Sequence, residues 1–146
     1  AQADALVTSL MNDNVFRSHS LTVRNEITER IRSEIKGRML EDIILLETKT
    51  ALPQCEVFKL IFASGEFDMV VFDPGAANCS IFEIKHSVQA VPVQTQHLLD
   101  SSKCDATEFR YGPITGRYVI YRGESHDAGA VRYMNVEEYL KGLRRP

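Results

Sequence analysis

The stretch GEFDMVVFDPGAANCSIFEIKHS, Gly65 to Ser87, sets three carboxylates (Glu66, Asp68, Glu83) and a lysine (Lys85) into or beside apolar runs. FDMVVFD and SIFEIKHS are rich in β-branched and aromatic residues and flank the turn-rich DPGAANC, the pattern of two strands around a connection. Just upstream, EVFKLIFAS predicts a third strand that meets FDMVVFD at the Gly-Glu pair. The three form a meander. Residues two apart in a strand share a face, so Glu66 and Asp68 point one way, and Glu83 and Lys85 share a face of their own strand. If the strands are neighbours, the four groups converge. Burying unpaired charge costs several kcal/mol per ion, so such a cluster persists when its members pair with one another or with a metal.

Outward from this core, TVRNEITERIRSEIKGRMLEDIILLETKT places Val23, Ile27, Ile31, Ile35, Met39 and Ile43 at four-residue spacing with charges between them. That spacing predicts one long amphipathic helix from Thr22 to about Thr50, with Gly37 as the place for a bend and Pro53 as its stop. Glu26 with Arg30, and Arg30 with Glu34, are i,i+4 pairs on its solvated face. Residues 3 to 12 predict a short apolar helix followed by a connection. Beyond the meander, VPVQTQHLLDSSK reads as a short helix, CDATEFRYG as a helix or loop, and GRYVIYRG as a strand. AVRYMNVEEYLKGL is a strand running into a terminal helix, with Asn135 at the N-cap and Glu138 three positions on. The order predicts one α/β domain with a mixed sheet.

At 146 residues the chain has single-domain length and can bury a full core without staples. With 44% hydrophobic and 25% charged residues it falls outside the disordered and fibrous classes. Cys55, Cys79 and Cys104 show no zinc spacing, which fits reduced thiols in a cytosolic protein. No apolar run is long enough to span a bilayer and no leader pattern opens the chain, so the expectation is a soluble, cytoplasmic protein with no membrane partner. A formal charge of −3 supplies no global attraction to polyphosphate, so nucleic-acid binding needs a local basic face or bridging metal ions.

Oxygen ligands without His or Cys suit Mg²⁺, which binds one or two carboxylates, keeps several waters and takes further ligands from a phosphate. A neighbouring lysine can orient or deprotonate an attacking water, or neutralise charge on the phosphate. Metal-assisted phosphodiester hydrolysis is the chemistry that fits.

Gly-Glu-Phe-Asp followed by a hairpin and Glu83-Ile84-Lys85 resembles the PD-(D/E)XK nuclease superfamily, although the Pro-Asp pair itself is absent. The resemblance implies a restriction-endonuclease-like α/β core: a mixed β-sheet flanked by helices, with a long first helix. It implies Asp68 and Glu83 as ligands of Mg²⁺ or Mn²⁺, Lys85 as the water-orienting base, and DNA as substrate. Glu41, in GRMLED on the long helix, matches a further acid carried by many members. Gln94 or Gln96 sits where some members place a helical glutamine; Gln96 is the one taken as substrate-binding, with Glu66 a supporting partner of the site or a turn residue.

Over residues 20 to 143, KGRMLEDIILLET, EVFKLIFASGEFDMVVFD, IFEIKHS, QTQHLLD, RYVIYRG and YMNVEEYL look like a C-terminal domain of unknown function that follows the P-loop ATPase domain in prokaryotic AAA-type ATPases. That domain is similar to PD-(D/E)XK nucleases in fold. The resemblance implies residues 1–20 as an N-terminal helix and connection, residues 21–146 as the nuclease-like domain, and an upstream ATPase domain of the same polypeptide as partner. The opening AQADALVTSL, without Met, agrees with a fragment of a longer protein. There is no GxxxxGKS or GxxxxGKT run in the chain, hence no ATP site of that type.

Other polar residues read as structural. His86 alternates away from Lys85, His19 and His97 are structural or exposed, and His126 lies in the surface turn GESHDAG. Asp73 shapes the Asp-Pro-Gly turn, Ser87 ends the strand, and Arg110, Tyr111 and Tyr121 pack or line a face. A basic rim from Arg38, Lys59, Lys85 or Arg117 would suit a phosphodiester, whereas an apolar patch would suit a protein partner. The second hypothesis is accordingly a catalytically silent nuclease-fold module that docks the ATPase onto a protein or nucleic acid.

Overall fold

The computed structural model describes residues 20–144. The expected helix over residues 3–12, the connection after it and His19 lie outside the described residues. The chain divides into two compact units, Ala1–Met39 and Leu40–Pro146.

Helix α1 spans Leu21–Ala51 and is continuous through Gly37. It stops where Pro53 supplies no N–H, after the Leu52 N–H reaches Thr48 O at 3.0 Å. In its early part, Arg32 pairs with Glu29 at 3.3 Å rather than Glu26 with Arg30 or Arg30 with Glu34. The expected apolar face is also corrected. Val23, Met39 and Ile43 are exposed, and within the second unit the buried residues of α1 are Ile44 and Thr48. The reason is geometric: at 3.6 residues per turn, a step of four residues drifts by about 40°, so Val23 and Ile43 end up about 200° apart around the helix.

The three-strand meander forms as expected. Strands β1 (Glu56–Phe62), β2 (Gly65–Asp73) and β3 (Asn78–Ile84) pair antiparallel in sequence. A 3₁₀ turn (Pro92–Thr95) and helix α2 (Ser101–Tyr111) then carry the chain to β4 (Ile114–Tyr121), which lies parallel to β3. The helix foreseen within VPVQTQHLLDSSK is thus a 3₁₀ turn followed by the start of α2. Asp100 caps α2 by accepting the Lys103 N–H.

Strand β6 (Val131–Asn135) pairs parallel with β4, and the three-residue β5 (His126–Ala128) pairs antiparallel with β6 at the far edge. The expected surface turn at His126 is therefore a short edge strand, and the mixed sheet has six strands in the order β1-β2-β3-β4-β6-β5. The His126 ring stacks on Tyr133 at 4.7 Å. Helix α3 (Val136–Leu143) follows directly, and the Asn135 side chain accepts the N–H groups of Glu137 and Glu138. Glu138 does not close a reciprocal capping box; its carboxylate accepts from the Ser125 hydroxyl.

Period-2 alternation divides the interior into two cores, one on each face of the sheet. Ile81 and Val119 join Leu98 of the connection and Cys104 of α2 in one core. Phe82 and Ile120 join Ile44 of α1, with Tyr139 and Leu140 of α3 packed alongside, in the other. Thr48 and Tyr139 share a 2.7 Å hydrogen bond between α1 and α3.

The turn between β2 and β3 is locked from two sides. Asp73 accepts the N–H groups of Gly75 and Ala76 at 2.9 and 3.2 Å, as its turn role requires. Gly112, at φ +80°, lies so close that a Cβ there would meet the Ala77 carbonyl oxygen at 2.0 Å. Cys55, Cys79 and Cys104 are free thiols, and among the described residues no helix is long and apolar enough to cross a membrane.

Candidate metal centre

The register of β2 is irregular where the acids sit. Phe58 faces Val70 and Leu60 faces Phe67, so Lys59 of β1 stands opposite both Asp68 and Met69. This is a β-bulge, a device that breaks strict alternation and re-aims side chains. Its effect is visible in the packing: Phe67 and Val70, three residues apart, both enter the first core, while Met69 enters the second. On the other side, Met69 faces Phe82, and one further step in that register sets Asp68 against Glu83 at the end of β3.

Asp68 is 3% exposed and Glu83 2%. Asp68 Oδ2 accepts the Ile84 N–H at 2.8 Å, which fixes the carboxylate across the ends of β2 and β3. Lys85, the first residue past β3, places its Nζ 3.2 Å from Glu83 Oε2 and 4.0 Å from Asp68 Oδ2. Its backbone N–H bonds Ile120 O at 2.8 Å, so β4 holds the lysine in position. Glu41 of α1, Glu66 and Asp68 each offer a carboxylate oxygen within 4.8 Å of the others. Glu41, Glu66, Asp68, Glu83 and Lys85 are thus brought into one cluster from α1, β2 and the end of β3.

The electrostatics follow from this crowding. Burial, and then the charge of Asp68, push the Glu83 carboxyl up to about 8. Its Oε1 is buried and meets no donor from the rest of the protein, and the protonated carboxyl donates a hydrogen bond to Asp68. Glu41 is likewise raised, by burial first and then by Asp68. Burial pulls Lys85 down, but Glu83 and Asp68 outweigh it and hold the ammonium above its usual value.

The sequence suggests Lys59 only as part of a basic rim. Its Nζ reaches Glu41 Oε2 at 3.0 Å and Glu66 Oε1 at 3.5 Å, which makes it the second cation of the cluster. The signal available was a lone lysine in the apolar run EVFKLIF. Arg117 turns elsewhere and donates through Nε to Leu98 O at 3.1 Å.

Neither glutamine joins the cluster by a hydrogen bond among the described residues. Gln94 is buried; its side chain accepts the Val91 N–H at 2.9 Å and donates to Ser87 Oγ at 2.8 Å and Gln89 O at 3.0 Å. It clamps the segment that follows Lys85. Gln96 is exposed at the end of the 3₁₀ turn. His97 packs its ring on Gly65, which has φ +101° and would bring a Cβ to 2.5 Å from the ring. That contact braces the start of β2, a structural role as expected.

The donor set is all carboxylate, which favours a hard, oxygen-loving divalent ion such as Mg²⁺ or Mn²⁺. The crowded Asp68 and Glu83 carboxyl groups are the feature that fits such an ion best, since coordination would offset their mutual repulsion and give the buried Glu83 Oε1 a partner. Searches against protein-family models, curated proteins and solved structures found no significant match to this chain.

Proposed function

We propose that the unit Leu40–Pro146 is a nuclease-like domain of the PD-(D/E)XK type that hydrolyses phosphodiester bonds in DNA with the help of Mg²⁺ or Mn²⁺. The observation that carries this reading is the buried pair Asp68 and Glu83 on adjacent strands, with Lys85 3.2 Å from Glu83 and 4.0 Å from Asp68, and a Glu83 Oε1 that meets no donor from the rest of the protein. Asp68 and Glu83 would hold the metal, with Glu41 adding a further oxygen on the solvent side. When bound, the ion supplies Lewis-acid stabilisation of phosphoryl charge and a more acidic water.

Lys85 contributes as an ammonium group, since its carboxylate neighbours favour the protonated form. In that state it donates hydrogen bonds, orienting a water and offsetting negative charge that builds on the phosphoryl oxygens. The role that fits is therefore orientation and charge neutralisation. Asp68 is held by the Ile84 N–H, so one ligand is fixed in advance.

The test is cleavage of a mixed DNA substrate in Mg²⁺ by the chain and by Lys85→Met, with Mn²⁺ affinity measured in parallel. The expected result is cleavage by the chain, loss of about two or more orders of magnitude in the variant, and retained metal binding. Equal cleavage by both proteins, or none by the parent chain, would remove the catalytic reading.

A second reading is a silent module that docks an upstream ATPase domain, or a partner of it. It is favoured by an open apolar hollow of about 290 Å³ lined by residues that include Val71, Phe82, Tyr118, Met134 and Tyr139. Such a surface suits protein contact better than phosphate contact.

A further inference from the structure

Resting on the metal reading, we infer that Lys59 is an internal cation that fills the outer half of the acidic cluster and restricts it to one divalent ion. Its ammonium lies between Glu41 and Glu66, 3.0 and 3.5 Å away. Those two carboxylates and Asp68 are the very group whose oxygens lie within 4.8 Å of one another, close enough for small side-chain movements to bring them onto one ion. Lys59 stands where a second ion would neutralise them.

Three observations support this. The bulge sets Lys59 opposite both Asp68 and Met69, so the irregular register that re-aims Asp68 also places the lysine beside the acids. The charge balance points the same way. Four carboxyl groups, Glu41, Glu66, Asp68 and Glu83, face two ammonium groups, Lys59 and Lys85, an excess of two acids that one divalent ion would match on displacing any carboxyl proton. A separate sign of that single ligand is Glu83, whose Oε2 lies 3.2 Å from Lys85 while its buried Oε1 meets no donor from the rest of the protein.

Lys59 is 36% exposed, and half-exposed ion pairs of this kind contribute little to stability, so a neutral replacement is compatible with folding. A methionine keeps the apolar stem that covers β1. The experiment is a calorimetric Mn²⁺ titration of the parent chain, Lys59→Met, Lys59→Arg and the double variant Lys59→Met with Glu41→Gln, each checked for native circular dichroism; Lys59→Gln substitutes if the methionine variant misfolds. The inference expects one ion per chain in the parent and in Lys59→Arg, two in Lys59→Met, and a return to one in the double variant. A single ion at parental affinity in Lys59→Met would overturn the inference and leave the metal reading standing, as would two ions in the parent. No Mn²⁺ bound by the parent or by Lys59→Met would overturn both.

Discussion

Glu83 is a residue that the fold holds at a cost. Its carboxyl is raised from 4.5 to about 8, so the folded state binds this proton more tightly than the unfolded chain does. The contribution to stability is complete below about pH 4.5 and is lost as pH rises through about 8. Glu83→Gln removes the titration and the need to bury charge, and is expected to stabilise the protein by about 1–3 kcal/mol above pH 8, with the gain shrinking toward pH 5. Thermal denaturation of both proteins across that range checks it; a less stable variant at pH 8 would contradict it. The same residue shows how far single positions could be read from sequence. Glu83, Asp68 and Lys85 stand out because charge inside an apolar strand demands an explanation. Lys59 did not, because its partners depend on a bulge in β2 that no alternation rule reveals. Gln94 has the right neighbourhood but spends its hydrogen bonds on the segment after Lys85.

At the scale of elements, what matters is how α1 and α3 are tied over one core and how the β2–β3 turn is fixed. Ile44 is fully buried in that core, so Ile44→Ala is expected to cost about 2–5 kcal/mol by chemical denaturation. Tyr139→Phe deletes the bond to Thr48 while Thr48 keeps its bond to Ile44 O, and the expected loss is about 1 kcal/mol. Gly112→Ala combines a left-handed φ with a clash on the Ala77 carbonyl, and is expected to lose about 1–3 kcal/mol or more; wild-type melting of that variant would refute the lock. Long or strongly patterned elements were readable: the meander, the strand-to-helix ending at Asn135, and the extent of α1. Strand β5 was not, since His126, Asp127 and Ala128 are exposed and carry no apolar alternation. The packed face of α1 was misjudged because a four-residue repeat winds around a helix instead of staying on one side.

For the whole molecule, the α/β architecture brings acids from a helix and two strands together; strand alternation leads one to expect Glu66, Asp68 and Glu83 to meet if their strands are neighbours, whereas Glu41 of the helix is expected only from the family resemblance. What order could not supply is whether the pairing leaves charge unmatched. The structure leaves a buried oxygen of Glu83 with no donor from the rest of the protein beside a carboxylate fixed by the Ile84 N–H. A divalent ion, if bound there, would give that oxygen a partner and offset the crowded carboxylates. The most direct measurement is a Mn²⁺ titration by calorimetry of the chain and of Asp68→Asn, a substitution that keeps an acceptor for the Ile84 N–H but removes the charge. The account expects binding by the chain and a loss of about tenfold or more in affinity for the variant; equal affinity in the two proteins, or no binding by either, would contradict it.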